Sequence, residues 1–254
     1  MASRAINQHF PRRFFIPPEL ICEKETRLPD TEARHLRNAL RIREGETVEI
    51  IDGEGGSWHG TVEFRRGEVF VCELAKTPLV SQPPAARLSL ALALIKPARF
   101  EWALEKATEL GVYEFIPLYT ARGEIRISGE KISGRLARWE RITKEASKQC
   151  RRVDVPRVRN PMEFREFLNS EEYSAQKKIL FHEKSDNRWL PDQAEISGGT
   201  IICIGPEGGW TEDEIGIAEI SGCGVYSLGP RILRSETAAI AAVSVFQFNS
   251  GFRI

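Results

Sequence analysis

Cysteine is scarce in this chain and poorly spaced for chemistry. The 254 residues hold five, Cys22, Cys72, Cys150, Cys203 and Cys223. Their number is odd and no two form C-x-x-C, which excludes a disulfide framework and a zinc ribbon and suits a reducing compartment. Histidine is equally thin. His9, His35, His59 and His182 are dispersed, and the one near-motif, His182-Glu183, has Asp186 where a zincin needs its second histidine. No metal is expected. Net charge is missing too: 36 Lys and Arg balance 36 Asp and Glu, which excludes a histone-like binder but not a local basic patch. Long apolar runs are absent. Stretches such as Leu90–Ile95 fall far short of the ~18 residues a spanning helix needs. Residues 1–18 carry Arg4, Arg12 and Arg13 without an acid or an apolar stretch, so no secretory signal is read there, and the expected location is the cytoplasm.

What is present is a foldable chain. Hydrophobic residues make up 41% and charged residues 28%, which rules out general disorder, and the length allows two domains. KTPLVSQPPAA at 76–86, with Pro78, Pro83 and Pro84, is the natural linker. Residues 1–75 read mostly as strands. Glu46–Asp52 alternates toward the turn GEGG at 53–56, Ser57–Phe64 answers it, and Arg66-Gly67 turns into Glu68–Leu74. One helix interrupts, with Asp30 as N-cap and Ala33, Leu36, Ala39 and Leu40 on its buried face. A small β-barrel with one helix is expected.

Residues 87–254 alternate strand and helix. Leu88–Ile95 reads as a strand buried on both faces. Pro97 opens a helix whose Phe100, Ala103, Leu104, Ala107 and Leu110 share a face, and Gly111 closes it. Strands are expected at 113–119, 178–182, 200–204 and 224–228, and helices at 131–151, 161–169, 211–221 and 235–249. Repeated βα order argues an α/β fold with a mostly parallel sheet and helices on both faces.

Charge is not balanced everywhere. Between residues 120 and 160, beginning at Arg122, twelve Lys and Arg face five acids. On the helix predicted there, Arg141, Lys144, Lys148 and Arg152 share one arc, and Leu136, Trp139, Ile142, Ala146 and Cys150 share another. The cationic arc is either a solvated face or a phosphate-facing surface. A second basic set, Arg12, Arg13, Arg34, Arg37, Arg41 and Arg43, lies in the first part. Arg12, Arg13, Arg34, Arg37, Arg122, Arg141, Lys148 and Arg152 are the RNA-contact candidates.

Two loops carry the strongest local signals. In IICIGPEGGWTEDEI, at 201–215, a strand ends at Gly205 and Thr211 with Glu214 forms a capping box. Gly205, Gly208 and Gly209 allow close backbone approach to a small molecule at the carboxyl end of a parallel sheet. No Lys-Ser/Thr follows and G-x-G-x-x-G is absent, so a nucleotide phosphate is not the obvious guest. In VYSLGPRILRSETAAI, at 225–240, a turn at Gly229-Pro230 leads through Arg231 and Arg234 to a slim, alanine-rich helix capped by Ser235.

Together, IGPEGGWTEDEI and LGPRILRSETAAIAA resemble the 16S ribosomal RNA uridine-N3 methyltransferases of the SPOUT superfamily. RRFFI, RHLRNALRIREGETVEIIDG, FEWALEKATELGV and EASKQCRRVDVP agree, and the likeness spans nearly the whole chain from Arg12. Gly123 departs from it, standing after Arg122 where Ser is expected. The resemblance implies a PUA-like RNA-binding barrel before a SPOUT-type trefoil-knotted domain. It implies a homodimer that acts on small-subunit ribosomal RNA, in an assembled 30S particle. S-adenosylmethionine is its implied cofactor, with a binding set of Leu180, Phe181, His182, Glu183, Gly205, Pro206, Glu207, Gly208, Gly209, Leu228, Gly229, Ile232, Leu233, Arg234 and Thr237. Uracil N3 must lose a proton, and the resulting anion spreads onto O2 and O4. Arg234 suits that charge, with Glu236 orienting it or helping remove the proton. A knotted methyltransferase for another RNA and a non-catalytic RNA-binding assembly factor are the rival readings.

Overall fold

The structure is a computed structural model, and it describes residues 11–77, 87–187 and 199–250. Most of the expected linker and the acid-free start lie outside the described residues. The chain divides into two compact units, Met1–Pro83 with Arg151–Asp154, and Pro84–Cys150 with Val155–Ile254.

The first unit is built on strands β1 (Arg12–Phe15), β2 (Glu25–Arg27), β3 (Thr47–Ile51), β4 (Ser57–Arg65) and β5 (Glu68–Lys76), with α1 (Asp30–Arg34) between β2 and β3. They join in the order β1-β3-β4-β5-β2. The β1–β3 pair is parallel and the rest are antiparallel. The turn before β4 is fixed by Asp52, whose Oδ1 accepts hydrogen bonds from the N–H groups of Glu54 and Gly56 at 2.7 and 2.8 Å. Phe14, Ile16, Leu28, Leu36, Val48, Ile50, Val62 and Val71 share one core. Two details differ from expectation. Pro29, not Asp30, is the N-cap, and Asp30 instead places its charge in the first turn, where the helix dipole favours it. After α1 the chain widens into a π-helical turn, His35–Leu40. The extra residue per turn rotates Ala39 out to solvent while Leu36 stays buried.

The second unit contains β6 (Leu88–Ala93), α2 (Pro97–Glu109), β7 (Glu114–Tyr119), α3 (Gly129–Gln149), β8 (Arg157–Val158), β9 (Met162–Glu163), α4 (Phe164–Asn169), β10 (Lys177–Phe181), β11 (Thr200–Ile204), α5 (Glu212–Ile220), β12 (Gly224–Tyr226) and α6 (Ser235–Asn249). The strand order is β12-β10-β11-β6-β7-β8, with β9 also on β7, and every pair is parallel. Side chains alternate across this sheet. Leu90, Leu92, Ile202 and Ile204 meet Phe100, Trp139, Ala242 and Phe246 from α2, α3 and α6. Ala91, Ile201 and Cys203 meet Phe164, Phe167 and Ile215 from α4 and α5. Helices therefore cover both faces of a parallel sheet, as the βα alternation implied. Proline starts α2 at its first position and Gly111 follows its end at φ +88°.

The expected helix 161–169 opens instead with the short strand β9, so the helix itself is only Phe164–Asn169. α3 stops at Gln149, and Arg151 takes a left-handed φ of 64°. Arg152 is therefore off the helix, and the expected four-residue cationic arc is shorter by one. No helix among the described residues is long and apolar enough to cross a membrane.

Candidate active site

Three loops meet at the carboxyl ends of β10, β11 and β12, where open parallel sheets place their ligand crevices. The loops are Phe181–Glu183, Gly205–Trp210 and Ser227–Ser235, and they enclose a cleft of about 490 Å³, its open mouth included. The central loop is built tightly. Trp210 is buried and its Nε1 donates to Phe181 O at 3.0 Å. A Cβ at position 205 would lie 3.0 Å from the Trp210 ring, so any larger residue there presses on that buried ring. Gly209 has φ +71°, and its N–H donates to Pro206 O at 2.9 Å. The capping box follows as expected: Thr211 Oγ1 accepts from Glu214 N at 3.2 Å, and Thr211 N donates to Glu214 Oε2 at 2.9 Å. Glu214 Oε1 also accepts from Ala121 N at 2.8 Å, tying α5 to the end of β7.

Of the expected cofactor residues, Phe181, His182, Glu183, Gly205, Pro206, Gly209, Leu228, Gly229 and Leu233 line the cleft. Leu180 faces the opposite core, because the next residue along a strand points the other way. Glu207 turns outward to an ion pair with Arg99. Gly208 lies against Arg122, 84% of Ile232 is exposed, and Arg234 and Thr237 face solvent. Sequence reasoning missed Ile204, Trp210, Ser227, Arg231, Ser235 and Ala238, which also line the cleft. All six adjoin the two motifs, and Trp210 directly follows Gly208-Gly209. Neither motif, however, carries a signal of which side chain turns inward.

The reactive candidates stand at the edge of this cleft. Arg234 is the N-cap of α6, a place expected of Ser235, which is instead the first helical residue. Arg234 is exposed and forms no ion pair among the described residues. Glu236 is 9% exposed and its Oε2 has no hydrogen-bond partner. Its charged neighbour is Arg99, at 3.6 Å, rather than Arg234. Among the described residues no cluster of three His, Cys, Asp or Glu is arranged to hold a metal ion.

The basic candidates separate. Arg12, Arg34 and Arg37 are exposed in the first unit. Arg37 packs over the Phe64 ring at 5.2 Å while donating to Gly67 O at 2.7 Å. Arg13 does not meet its expected role. Its side chain is 9% exposed, pairs with Glu49 at 2.8 Å and donates to Arg152 O at 2.8 Å. Burial works to raise the Glu49 pKa, but the hydrogen bonds and charge of Arg13, with Ser57 and Arg151, outweigh it and hold the carboxyl below its ordinary range. Arg122 donates to Gly208 O and Trp210 O, both at 3.1 Å, so it braces the glycine turn. Arg141 is exposed. Lys148 pairs with Glu145 at 3.4 Å, and Arg152 pairs with Asp154 at 2.6 Å.

The fold and cleft thus define a class: an α/β protein with a cleft of small-molecule size, walled by glycine-rich loops beside an exposed arginine. Family models sharpen it. Residues 81–247 match an RNA methyltransferase domain, and residues 28–71 match an RNA methyltransferase PUA domain. The chain is 32% identical to the ribosomal RNA small subunit methyltransferase E of Synechocystis, over 91% of this chain and 76% of that protein. Two solved structures each match at 30% identity and TM-score 0.84, covering 94% of this chain and 98% of theirs. One is a Legionella pneumophila methyltransferase in complex with the cofactor SAM, and the other is the Neisseria gonorrhoeae methyltransferase E bound to S-adenosyl methionine. The chain belongs to the ribosomal RNA small subunit methyltransferase E family.

The cleft suits a sulfonium cofactor. It offers apolar walls in Leu228, Leu233 and Ala238, backbone edges at Gly205, Gly209 and Gly229, and one carboxylate, Glu183, for a cationic guest. His182 Nδ1 is buried with no hydrogen-bond partner, 3.4 Å from Glu183 Oε2.

Proposed function

We propose that this protein methylates N3 of a specific uridine in the 16S ribosomal RNA of the small subunit, with S-adenosylmethionine as donor. The observation that carries this reading is the cleft of three loops with an unpaired Arg234 at its edge. Bound there, S-adenosylmethionine supplies a methyl group on a positively charged sulfur. The chain's own residues do the rest. Phe181, Gly205, Gly209, Leu228 and Leu233 hold and orient the cofactor. Arg234 offers a guanidinium to the charge that develops on uracil O2 and O4, where a preorganised donor is most effective. Glu236, whose Oε2 has no hydrogen-bond partner, is the acceptor for the N3 proton. Fixing donor and acceptor in one cleft lowers the barrier further.

The same reading assigns residues 1–75 to a PUA-like RNA-binding barrel, 76–86 to the linker and 87–254 to the methyltransferase domain with its trefoil knot. Arg12, Arg34, Arg37 and Arg141 serve as phosphate contacts. The active form is a homodimer in the cytoplasm, and the substrate is the assembled 30S particle.

Calorimetry with S-adenosylmethionine, followed by methyl transfer to purified small subunits and to transfer RNA, tests this. The reading expects cofactor binding and transfer to small subunits only. Transfer to transfer RNA would point to another substrate, and absence of cofactor binding would leave a non-catalytic RNA-binding factor.

A further inference from the structure

Arg99 lies in the first turn of α2, a turn without an acidic residue. A cation there meets the positive end of the helix dipole, an unfavourable place for it. Two carboxylates from distant segments compensate. Arg99 Nη1 donates to Glu207 in the turn after β11, and Arg99 Nε lies 3.6 Å from Glu236 Oε1 in the first turn of α6. Glu207 belongs to GPEGG and Glu236 to RSETA, the two segments whose loops wall the cleft. Neither Arg99 nor Glu207 lines the cleft itself.

We propose that Arg99 is a positioning residue. By bridging Glu207 and Glu236 it couples the 205–210 turn to the start of α6, so that the two walls of the cleft hold one arrangement. Arg122 supports the 205–210 turn through the carbonyls of Gly208 and Trp210 but bonds nothing on α6. Arg99 is thus the guanidinium that joins the two segments. The consequence for turnover rests on the function proposed above. The bridge itself does not.

Hydrogen exchange of the full chain tests the bridge without any ligand. In Arg99→Ala, amides of both 205–210 and 235–243 are expected to exchange about tenfold faster. In Glu207→Gln, only 205–210 is expected to loosen, because Arg99 keeps Glu236. Arg138→Ala is the comparison, since it removes a different ion pair with α2, that of Glu101 at 2.5 Å, and it should change neither segment. With cofactor, Arg99→Ala is expected to raise the KM for S-adenosylmethionine about tenfold while kcat falls less. Unchanged exchange in Arg99→Ala, or equal loosening in Arg138→Ala, overturns the proposal. If the wild-type chain binds no S-adenosylmethionine yet Arg99→Ala loosens both segments, the function fails and the bridge stands.

Discussion

The two motif loops are held very differently. The 205–210 turn is fixed by the Trp210 bond to Phe181 O, by the Arg122 bonds to Gly208 and Trp210, by Glu207 on Arg99 and by the Thr211–Glu214 box. The 229–234 turn has few such ties, and Arg231, Ile232 and Arg234 all stand exposed. A firmly held wall suits a cofactor that must be fixed in one orientation. An open wall with a free guanidinium suits a large substrate that arrives from solvent. Within one cleft, the function proposed above gives the task of shape to one loop and that of reactivity to the other.

The largest break in that comparison is Arg234→Ala. It should lower kcat by about 10²–10³-fold, as loss of one preorganised charge donor does, while calorimetry shows cofactor affinity nearly unchanged. The matching change on the firmly held side is Gly205→Val. With Trp210 already 3.0 Å from a Cβ, it should weaken cofactor binding by at least about tenfold and leave RNA affinity intact. In the small unit, Arg12→Ala, Arg34→Ala and Arg37→Ala together should weaken RNA binding and flatten its salt dependence by roughly 2–3 in log–log slope. Arg13→Ala should not alter that slope, since Arg13 is buried on Glu49. Trp210→Phe deletes the bond to Phe181 O and should cost about 1–3 kcal/mol in denaturant unfolding.

The smallest effect is one of acid stability. The Glu49 pKa is held below its ordinary 4.5 in the folded state. A depressed carboxyl contributes stability above the unfolded value and loses it as pH falls through the folded one. Glu49→Gln should therefore flatten the stability profile below about pH 4.5, as thermal melts across that range would show.

Much of this was legible beforehand because its causes are local. The period of Phe100, Ala103, Leu104 and Ala107 marked α2, the Thr211–Glu214 spacing marked the start of α5, and the apolar Leu88–Ile95 run marked a strand buried on both faces. What escaped depends on contacts distant in sequence. Arg13 looks like any surface arginine until β3 brings Glu49 beside it, 36 residues away. Arg99 lies 108 residues from Glu207, and no pattern in α2 announces the pairing. Arg152 fits the helical arc on paper, but the left-handed turn at Arg151 ends the helix first. The inward set at the cleft was half visible, because motif spacing locates a loop without saying which of its side chains turn in.

The most direct measurement is mass-spectrometric mapping of 16S ribosomal RNA. Small subunits from cells lacking this protein would be incubated with the purified chain and isotopically labelled S-adenosylmethionine. One uridine labelled at N3 is expected, with the initial rate of labelling cut about 10²–10³-fold in Arg234→Ala. Label on a ribose or another base, or no label from a chain that binds the cofactor, would contradict the proposed function.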